Sequence, residues 1–234
     1  MTPMSSVPEA ELQPAVPDRR RSESQKVLKR IVDIVIAVPL GIALLPVCAV
    51  LAVLIKLDSE GPIIYSSDRV GEQGKIFRLY KFRSMVNGAS HLLRDIAHLN
   101  AGGDHMIKIA NDPRVTRLGR ILRRYSLDEI PQFWNVIKGD LSLVGPRPQS
   151  PSEAALYDER QRRRLSAPQG LTGHWQVTAR HDPSFEVWVA KDLEYIDNWS
   201  MWMDFKIIFK TVGIVLLGRD ASPRAHQPQG EKNR

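Results

Sequence analysis

The stretch Ile34-Val35-Ile36-Ala37-Val38-Pro39-Leu40-Gly41-Ile42-Ala43-Leu44-Leu45-Pro46-Val47-Cys48-Ala49-Val50-Leu51-Ala52-Val53-Leu54-Ile55 decides how the rest of the chain is organised. It runs for 22 residues without a charge. As a straight helix it would reach roughly 33 Å, about the thickness of a bilayer's hydrocarbon core. Two features set it apart from a plain span. Pro39 and Pro46 interrupt it, and a proline inside a helix removes a hydrogen bond and kinks the axis. Basic residues also flank it on both sides: Arg19, Arg20, Arg21, Lys26, Lys29 and Arg30 before, Lys56, Arg69, Lys75, Arg78, Lys81 and Arg83 after. Basic flanks tend to stay cytoplasmic. Both flanks obey that rule only if the segment enters the membrane and returns on the same side. The spacing therefore predicts a re-entrant, kinked helix over 26–57, with Pro46 and Pro39 as the anchor's bend points.

Working outward, residues 1–25 carry Pro3, Pro8, Pro14 and Pro17 among scattered charges and read as a disordered tail, as do residues 219–234. That leaves 58–218 as one domain. Residues 62–83 read as two short strands around a turn at Gly71 and Gly74. Residues 86–99 read as helical, and 114–125 as an amphipathic basic helix carrying Arg117, Arg120, Arg123 and Arg124. Residues 128–138, 153–166 and 184–217 also read as helical, the last rich in aromatics. The expected fold is mostly α with a small β element. A re-entrant membrane helix and interfacial amphipathic helices surround a compact cytoplasmic catalytic domain.

The formal charge is +7, from 33 Lys and Arg against 26 Asp and Glu, which favours anionic partners. The single cysteine, Cys48, excludes a disulfide within the chain and fits a reducing compartment. The first apolar run begins near Ile31 with no small-residue cleavage site after it, which argues against a cleaved secretory signal. His91, His98 and His105 stand seven apart, as do His174 and His181. Two helical turns separate such residues by roughly 10 Å, too far to share one metal ion.

Chemistry concentrates in a few places. In Ser126-Leu127-Asp128-Glu129-Ile130-Pro131-Gln132, two carboxylates stand at the start of a helix. One reading is a capping box led by Ser126, or Asp128 as the cap with Pro131 in the first turn. The other is a nucleophile or Mg²⁺ ligand kept ionised by the helix dipole. In Gly145-Pro146-Arg147-Pro148, two prolines restrict the backbone around an arginine. This is either a rigid surface turn or a preorganised phosphate clamp. Lys81 and Arg83 end a strand, as a second clamp or as solvated charge. The aromatics of 184–217 are either core or, with Trp188, Trp199, Trp202, Lys191, Lys206 and Lys210, an interfacial helix.

Several ordered motifs occur together from about Lys29 to Leu217: Lys29-Arg30-Ile31-Val32-Asp33, Tyr80-Lys81-Phe82-Arg83-Ser84-Met85, Asp112-Pro113-Arg114-Val115-Thr116, Leu122 to Gln132, Asn135-Val136-Ile137-Lys138-Gly139-Asp140, Gly145 to Pro148, Gly170-Leu171-Thr172-Gly173 and Asp197-Asn198-Trp199-Ser200. This chain resembles the bacterial sugar transferases, monotopic polyprenyl-phosphate phosphoglycosyl transferases. The resemblance implies that Asp128 attacks the sugar-bearing phosphate of a UDP-sugar, releasing UMP. Polyprenyl phosphate, usually undecaprenyl phosphate, then takes the phosphosugar. It implies Mg²⁺ on Glu129, with Asp128 beside it, and phosphate contacts from Lys81 and Arg123, while Arg83 is a phosphate candidate from the strand-end clamp alone. It also implies that Arg147, with Pro146 and Pro148, helps hold the nucleotide.

The stretch Leu171 to Gln176 looks closer to members handling glucose or galactose phosphate, which makes Gln176 a candidate substrate contact. Leu45-Pro46 stands where the family usually has Ser-Pro. Gln169-Gly170 and Thr178-Ala179-Arg180 also depart from its usual Pro-Gly and Asn/Ser-Gly-Arg. The resemblance further implies contact with membrane lipids, a place on the cytoplasmic face of the bacterial inner membrane, and a role in exopolysaccharide or glycan priming. It leaves homo-oligomerisation open. The competing class is a non-enzymatic basic membrane scaffold for polysaccharide export. A nucleic-acid partner does not fit a 22-residue uncharged membrane segment.

Overall fold

The computed structural model describes residues 21–217, apart from 94, 97, 99–108, 110, 181 and 183. The tails read from the sequence fall outside these residues except at 21–25. His105 and His181 lie outside them too.

Helix α1 (Glu23–Ala43) starts inside the stretch read as tail. Ser22 and Gln25 form a reciprocal capping box there, which satisfies two orphan donors at once. α1 continues unbroken through Pro39. The break comes at Leu44, before α2 (Leu45–Asp58), and the two axes bend by 56°. Pro46 sits in the first turn of α2, where it cannot donate to a carbonyl of α1. Among the described residues, no single helix is long and apolar enough to cross a membrane; the bent α1–α2 pair passes that test only as a pair.

Polar residues fasten α1 to the rest of the chain. Lys29 pairs with Asp204 at 2.7 Å, both buried. Arg30 donates to the carbonyls of Val136 and Ile137, at 2.6 and 2.8 Å. Asp33 accepts from the Leu143 amide at 3.0 Å. The motif Lys29 to Asp33 is thus the clasp between the apolar helix pair and the domain.

Strands β1 (Ile64–Val70) and β2 (Ile76–Phe82) form an antiparallel hairpin, with Tyr65 opposite Lys81 and Arg69 opposite Phe77. After a bridge between Met85 and Val115 come α3 (Arg117–Arg124) and α4 (Gln132–Lys138). Strand β3 (Ser142–Val144) pairs in parallel with β4 (Gly170–Thr172). Between them lie the short helices α5 (Pro151–Ala154) and α6 (Glu159–Arg162). α7 (His174–Thr178), α8 (Phe185–Asp197) and α9 (Met201–Leu216) complete the chain. The fold is mostly helical with a small hairpin, as the sequence suggested, and it adds a second, parallel two-stranded sheet that the sequence reading did not include.

Three of the expected helices are reshaped. Over 86–99, Gly88 adopts φ +74° and the described residues hold only a 3-10 turn at His91–Leu93. The 153–166 helix is two pieces, each opened by its own capping box, Ser150 with Glu153 and Asp158 with Gln161. The 184–217 helix breaks at Asn198–Ser200, where the Ser200 hydroxyl caps α9 by accepting from the Met203 amide.

The main core joins the hairpin residues Val70, Phe77 and Leu79 to Val136, Val144, Trp175, Trp188, Val189 and Ile207. Trp175 and Trp188 stack at 3.9 Å. A second cluster, Leu51, Ile55, Phe82, Leu122 and Ile130, seats the end of α2 against α3 and the turn that follows it. The aromatics of 184–217 therefore divide. Trp188 and Tyr195 are core, while Trp202 and Phe209 on α9 stand exposed.

Candidate active site

The turn bearing the two carboxylates is made by backbone, not by a side-chain cap. Thr116 caps α3 through its hydroxyl, 2.9 Å from the Gly119 amide. α3 lies so close to the hairpin's extension that a Cβ on Gly119 would stand 2.0 Å from the Ser84 carbonyl oxygen. The helix ends at Tyr125, and Ser126 takes up left-handed backbone at φ +54°, a conformation that costs on the order of 1 kcal/mol outside glycine. Leu127–Glu129 then forms a 3-10 turn, and Pro131 opens α4 without a side-chain cap. Neither capping register expected from the sequence is formed. α4 is a short helix, and the two carboxylates take their electrostatics from basic side chains around them.

Lys81 reaches in from β2, its Nζ 2.7 Å from Glu129 Oε1. Asn135, fully buried, fixes that approach. Its side chain accepts from the Tyr80 amide at 3.1 Å and donates to the Arg78 carbonyl at 2.7 Å, so α4 and β2 are zipped together beside the site. Arg147 contacts the same Glu129 oxygen at 3.4 Å through both terminal nitrogens. Arg123 donates from Nε to the Ser84 hydroxyl at 2.9 Å. Among the carboxylates, Asp128 acts on it most strongly.

The two acids respond oppositely to this setting. Burial pushes the Asp128 carboxyl above its ordinary value; Lys81 opposes that shift and the charge of Glu129 adds to it. Burial would raise Glu129 too, but Lys81 and Arg147 outweigh it and hold it at about 2. Glu129 is a fixed charge, and Asp128 is the more basic of the pair.

The loop that presents Arg147 is held along its backbone. Pro146, Arg147 and Gln149 accept at their carbonyls from the Gly170 amide (2.8 Å), the Arg164 guanidinium (3.2 Å) and the Val70 amide (2.9 Å). Gly145 permits this packing, since a Cβ there would lie 2.2 Å from the Pro168 carbonyl oxygen. Pro146 and Pro148 are buried, while the Arg147 side chain remains 34% exposed.

Two sequence candidates do other work. Arg83 is buried, with its guanidinium on the carbonyls of Ile55 (3.3 Å), Ser59 and Pro62. It satisfies the Ser59 and Pro62 carbonyls just beyond α2 and shares the Ile55 carbonyl with the Ser59 amide. Arg83, expected as a phosphate contact, is thus held on main-chain carbonyls, and no bond joins it to the Asp128–Glu129 cluster among the described residues. Gln176 sits on α7, half-buried, with Oε1 lacking a hydrogen-bond partner among the described residues. No bond joins it to the Asp128–Glu129 cluster among those residues.

Sequence reading missed Arg69. It pairs with Glu153 at 3.6 Å, and Arg147 and Glu129 lie near enough to act on its charge. Strand alternation carried the signal: Tyr65 and Arg69 are four apart and Tyr65 faces Lys81, so Lys81 and Arg69 share one face of the hairpin. It also missed Arg164, 1% exposed, which pairs with Asp192 at 2.7 Å.

Asp128 and Glu129 offer hard oxygen donors suited to Mg²⁺, which commonly takes one or two protein carboxylates and completes its shell from phosphate and water. Lys81 and Arg147 both bond Glu129 Oε1 and so leave its Oε2 for such a role. Among the described residues no cluster of three or more His, Cys, Asp or Glu could hold a metal alone.

The sequence profile described as Bacterial sugar transferase matches residues 24–218, and the whole of this site lies within it. The chain belongs to the bacterial sugar transferase family. It is 43% identical over 199 residues to the galactosyl transferase CpsE of Streptococcus agalactiae serotype III, a match covering 85% of this chain and 44% of that protein. It is 42% identical to the UDP-galactose-lipid carrier transferase of Erwinia amylovora, over 82% of this chain and 41% of that protein. This family member thus spans less than half the length of those two relatives. The exopolysaccharide production protein ExoY of Sinorhizobium fredii is closer in extent: 40% identical over 195 residues, covering 82% of this chain and 86% of ExoY.

Proposed function

We propose that the chain transfers a hexose-1-phosphate from a UDP-sugar to polyprenyl phosphate in two displacements at Asp128. In the first, an Asp128 carboxylate oxygen attacks the phosphorus that bears the sugar. A P–O bond forms, the bond to the UMP oxygen breaks, and UMP leaves with that electron pair. In the second, a phosphate oxygen of the polyprenyl phosphate attacks the same phosphorus. The Asp128 carboxylate is released, leaving a polyprenyl diphosphosugar. The observation that supports this reading is the gathering of cations at adjacent acids: Lys81 at 2.7 Å and Arg147 at 3.4 Å from Glu129, with Arg123 acting on the buried Asp128.

The surrounding cations supply what an anionic nucleophile needs to approach a diphosphate. Arg147 and Lys81 neutralise phosphate oxygens, and Arg123 does so beside Asp128. Mg²⁺, held by Glu129 with Asp128 beside it, would offset charge on the diphosphate and the leaving UMP. Glucose or galactose is the proposed sugar. Relatives named for galactose transfer, and an undecaprenyl-phosphate glucose phosphotransferase of Komagataeibacter xylinus at 39% identity, support that choice. The product would prime exopolysaccharide or glycan synthesis.

The place of reaction is the cytoplasmic face of the bacterial inner membrane, with α1 and α2 as a re-entrant anchor among membrane lipids. The 56° bend at Leu44 and the basic residues on both sides support this topology. Tags at the two termini should both report the cytoplasmic side; opposite sides would mean a span.

Asp128→Asn tests the chemistry. With UDP-glucose or UDP-galactose and undecaprenyl phosphate, it should abolish UMP release while the protein still purifies folded. Unchanged turnover would remove Asp128 from the reaction; absence of UMP release from the unmodified chain would leave the scaffold reading standing.

A further inference from the structure

α7 and α9 pack together around a cavity of ≈ 320 Å³, lined by His174, Trp202, Met203, Lys206, Ile207 and Lys210 among others. Met203 and Ile207 make its apolar wall, and Ile207 is itself buried in the core. Lys206 and Lys210 stand at its mouth, one helical turn apart and exposed. Neither forms an ion pair among the described residues. The Lys206 ammonium lies over the Trp202 ring, 5.5 Å from its centre. His174 does not add a third charge. Burial holds it below its usual value, and its neighbour Glu194, 3.4 Å away, also pairs with Lys191 at 2.7 Å. The acid on α9 itself, Asp204, is buried against Lys29. Among the described residues the cavity lining therefore carries two lysines without an ion-pair partner.

The same helix exposes Trp202, Phe209, Val212 and Leu216, with Phe209 at 72%. At 100° per residue these four fall within an arc of roughly 80°, beside the two lysines. An apolar stripe bordered by unpaired lysines matches a ligand with a phosphate at one end and hydrocarbon at the other. A free anion would leave the stripe in water, and a purely apolar partner would leave the lysines unanswered.

We propose that this cavity binds the phosphate headgroup of an acidic phospholipid, with the acyl chains lying along the exposed stripe of α9. The site shares no residue with the Asp128–Glu129 cluster. It rests on the reading above only in placing the chain at a bilayer. The test therefore reads lipid binding apart from turnover and from the α1–α2 anchor, and the two proposals fail separately.

Trp202 is a built-in reporter. The full chain in uncharged detergent micelles is doped with phosphatidylglycerol or phosphatidylcholine carrying brominated acyl chains. The Trp202 contribution to quenching is isolated by subtracting the signal of Trp202→Phe. Two lysines near the headgroup should enrich the acidic lipid over the zwitterionic one by roughly 10- to 30-fold at equal mole fraction. Lys206→Gln with Lys210→Gln should bring the two quenching curves together without changing UMP release in plain detergent. Equal quenching by both lipids in the unmodified chain would overturn the proposal, as would a preference that survives the double substitution. Loss of the preference on adding millimolar inorganic phosphate would also overturn it, because the cavity would then be a site for a soluble anion.

Discussion

Arg147 and Arg164 each meet one carboxylate, and they differ in almost everything else. Arg147 contacts Glu129 at 3.4 Å with 34% of its side chain exposed. Arg164 contacts Asp192 at 2.7 Å with both partners 1% exposed. Arg164 also bonds the Tyr157 hydroxyl and the Arg147 carbonyl, so every nitrogen of its guanidinium is engaged. The two regions are connected, because the buried arginine holds the backbone from which the exposed one extends. A tight, dry pair fixes main chain. A loose, half-open pair leaves a guanidinium that can exchange a carboxylate for a phosphate. Division of labour follows from burial rather than from residue type.

The largest effect should come from breaking the buried pair. Arg164→Ala leaves the Asp192 carboxylate alone in the core, a loss of about 3–5 kcal/mol. Thermal midpoints in detergent micelles would read it. Arg164→Met with Asp192→Leu should recover most of the loss, because no charge is then stranded. A single-substitution cost below about 1 kcal/mol would make the buried pair no different in kind from an exposed one.

Next comes the open pair. Arg147→Ala should lower UMP release by about 10²–10³-fold, the usual cost of one lost electrostatic donor at a reacting group. Its thermal midpoint should move by no more than a loosely held surface pair allows, about 1 kcal/mol or less. A loss of stability as large as that of Arg164→Ala would show that Arg147 braces the fold, and the contrast would collapse.

Much of the fold and of the candidate site was legible in the sequence, and the illegible part has a physical reason. The uncharged run with Pro46, the hairpin, the basic helix and the Asp128–Glu129 pair all follow from local pattern, and the structure forms those elements close to where expected. Arg164 did not stand out. It sits in a run of arginines, and its burial depends on Asp192, 28 residues away on α8. Arg83 stands two residues from Lys81, which strand alternation puts on the same side. Only the end of α2, arriving with carbonyls that need donors, separates their roles. The double capping box over 150–161 was present as Ser-x-x-Glu and Asp-x-x-Gln, hidden under the charge of the longer stretch.

A smaller effect should separate the two acids within the open region. In the proposed mechanism Asp128 must be ionised to attack, and burial already raises it. Transfer should therefore fall away as pH drops through a value above the ordinary 3.8 of an aspartate. Lys81→Met removes the largest influence that lowers Asp128, so the acid limb should move to higher pH. Glu129 provides the stability control. Its value is held at about 2 against an ordinary 4.5, so its ion pairs stabilise the fold at every pH above 4.5. That contribution is lost only as pH falls from 4.5 toward 2. Loss of transfer above pH 4.5 would therefore not be unfolding at Glu129, and the Lys81→Met variant tells whether it belongs to Asp128. A limb that stays in place in Lys81→Met would mean that Lys81 does not govern Asp128.

The smallest effect belongs to the residue next door to the largest. Arg163 precedes Arg164, and its Nη2 lies 2.6 Å from Asp197 Oδ1, closer than either of the other pairs. Its side chain is 46% exposed and that of Asp197 31%. Water therefore screens the attraction, and two long side chains lose rotamer freedom to make it. Arg163→Ala should cost about 0.5 kcal/mol or less in thermal stability and leave UMP release unchanged. Set beside Arg164→Ala, it separates distance from burial at adjacent positions. If the shorter, wetter contact proved as costly as the buried one, separation would be the governing variable and the reading of Arg147 as a ligand-ready arginine would lose its basis. If it costs almost nothing, the 3.4 Å between Arg147 and Glu129 is no sign of weakness in the site, since what a pair contributes is set by the water it has lost.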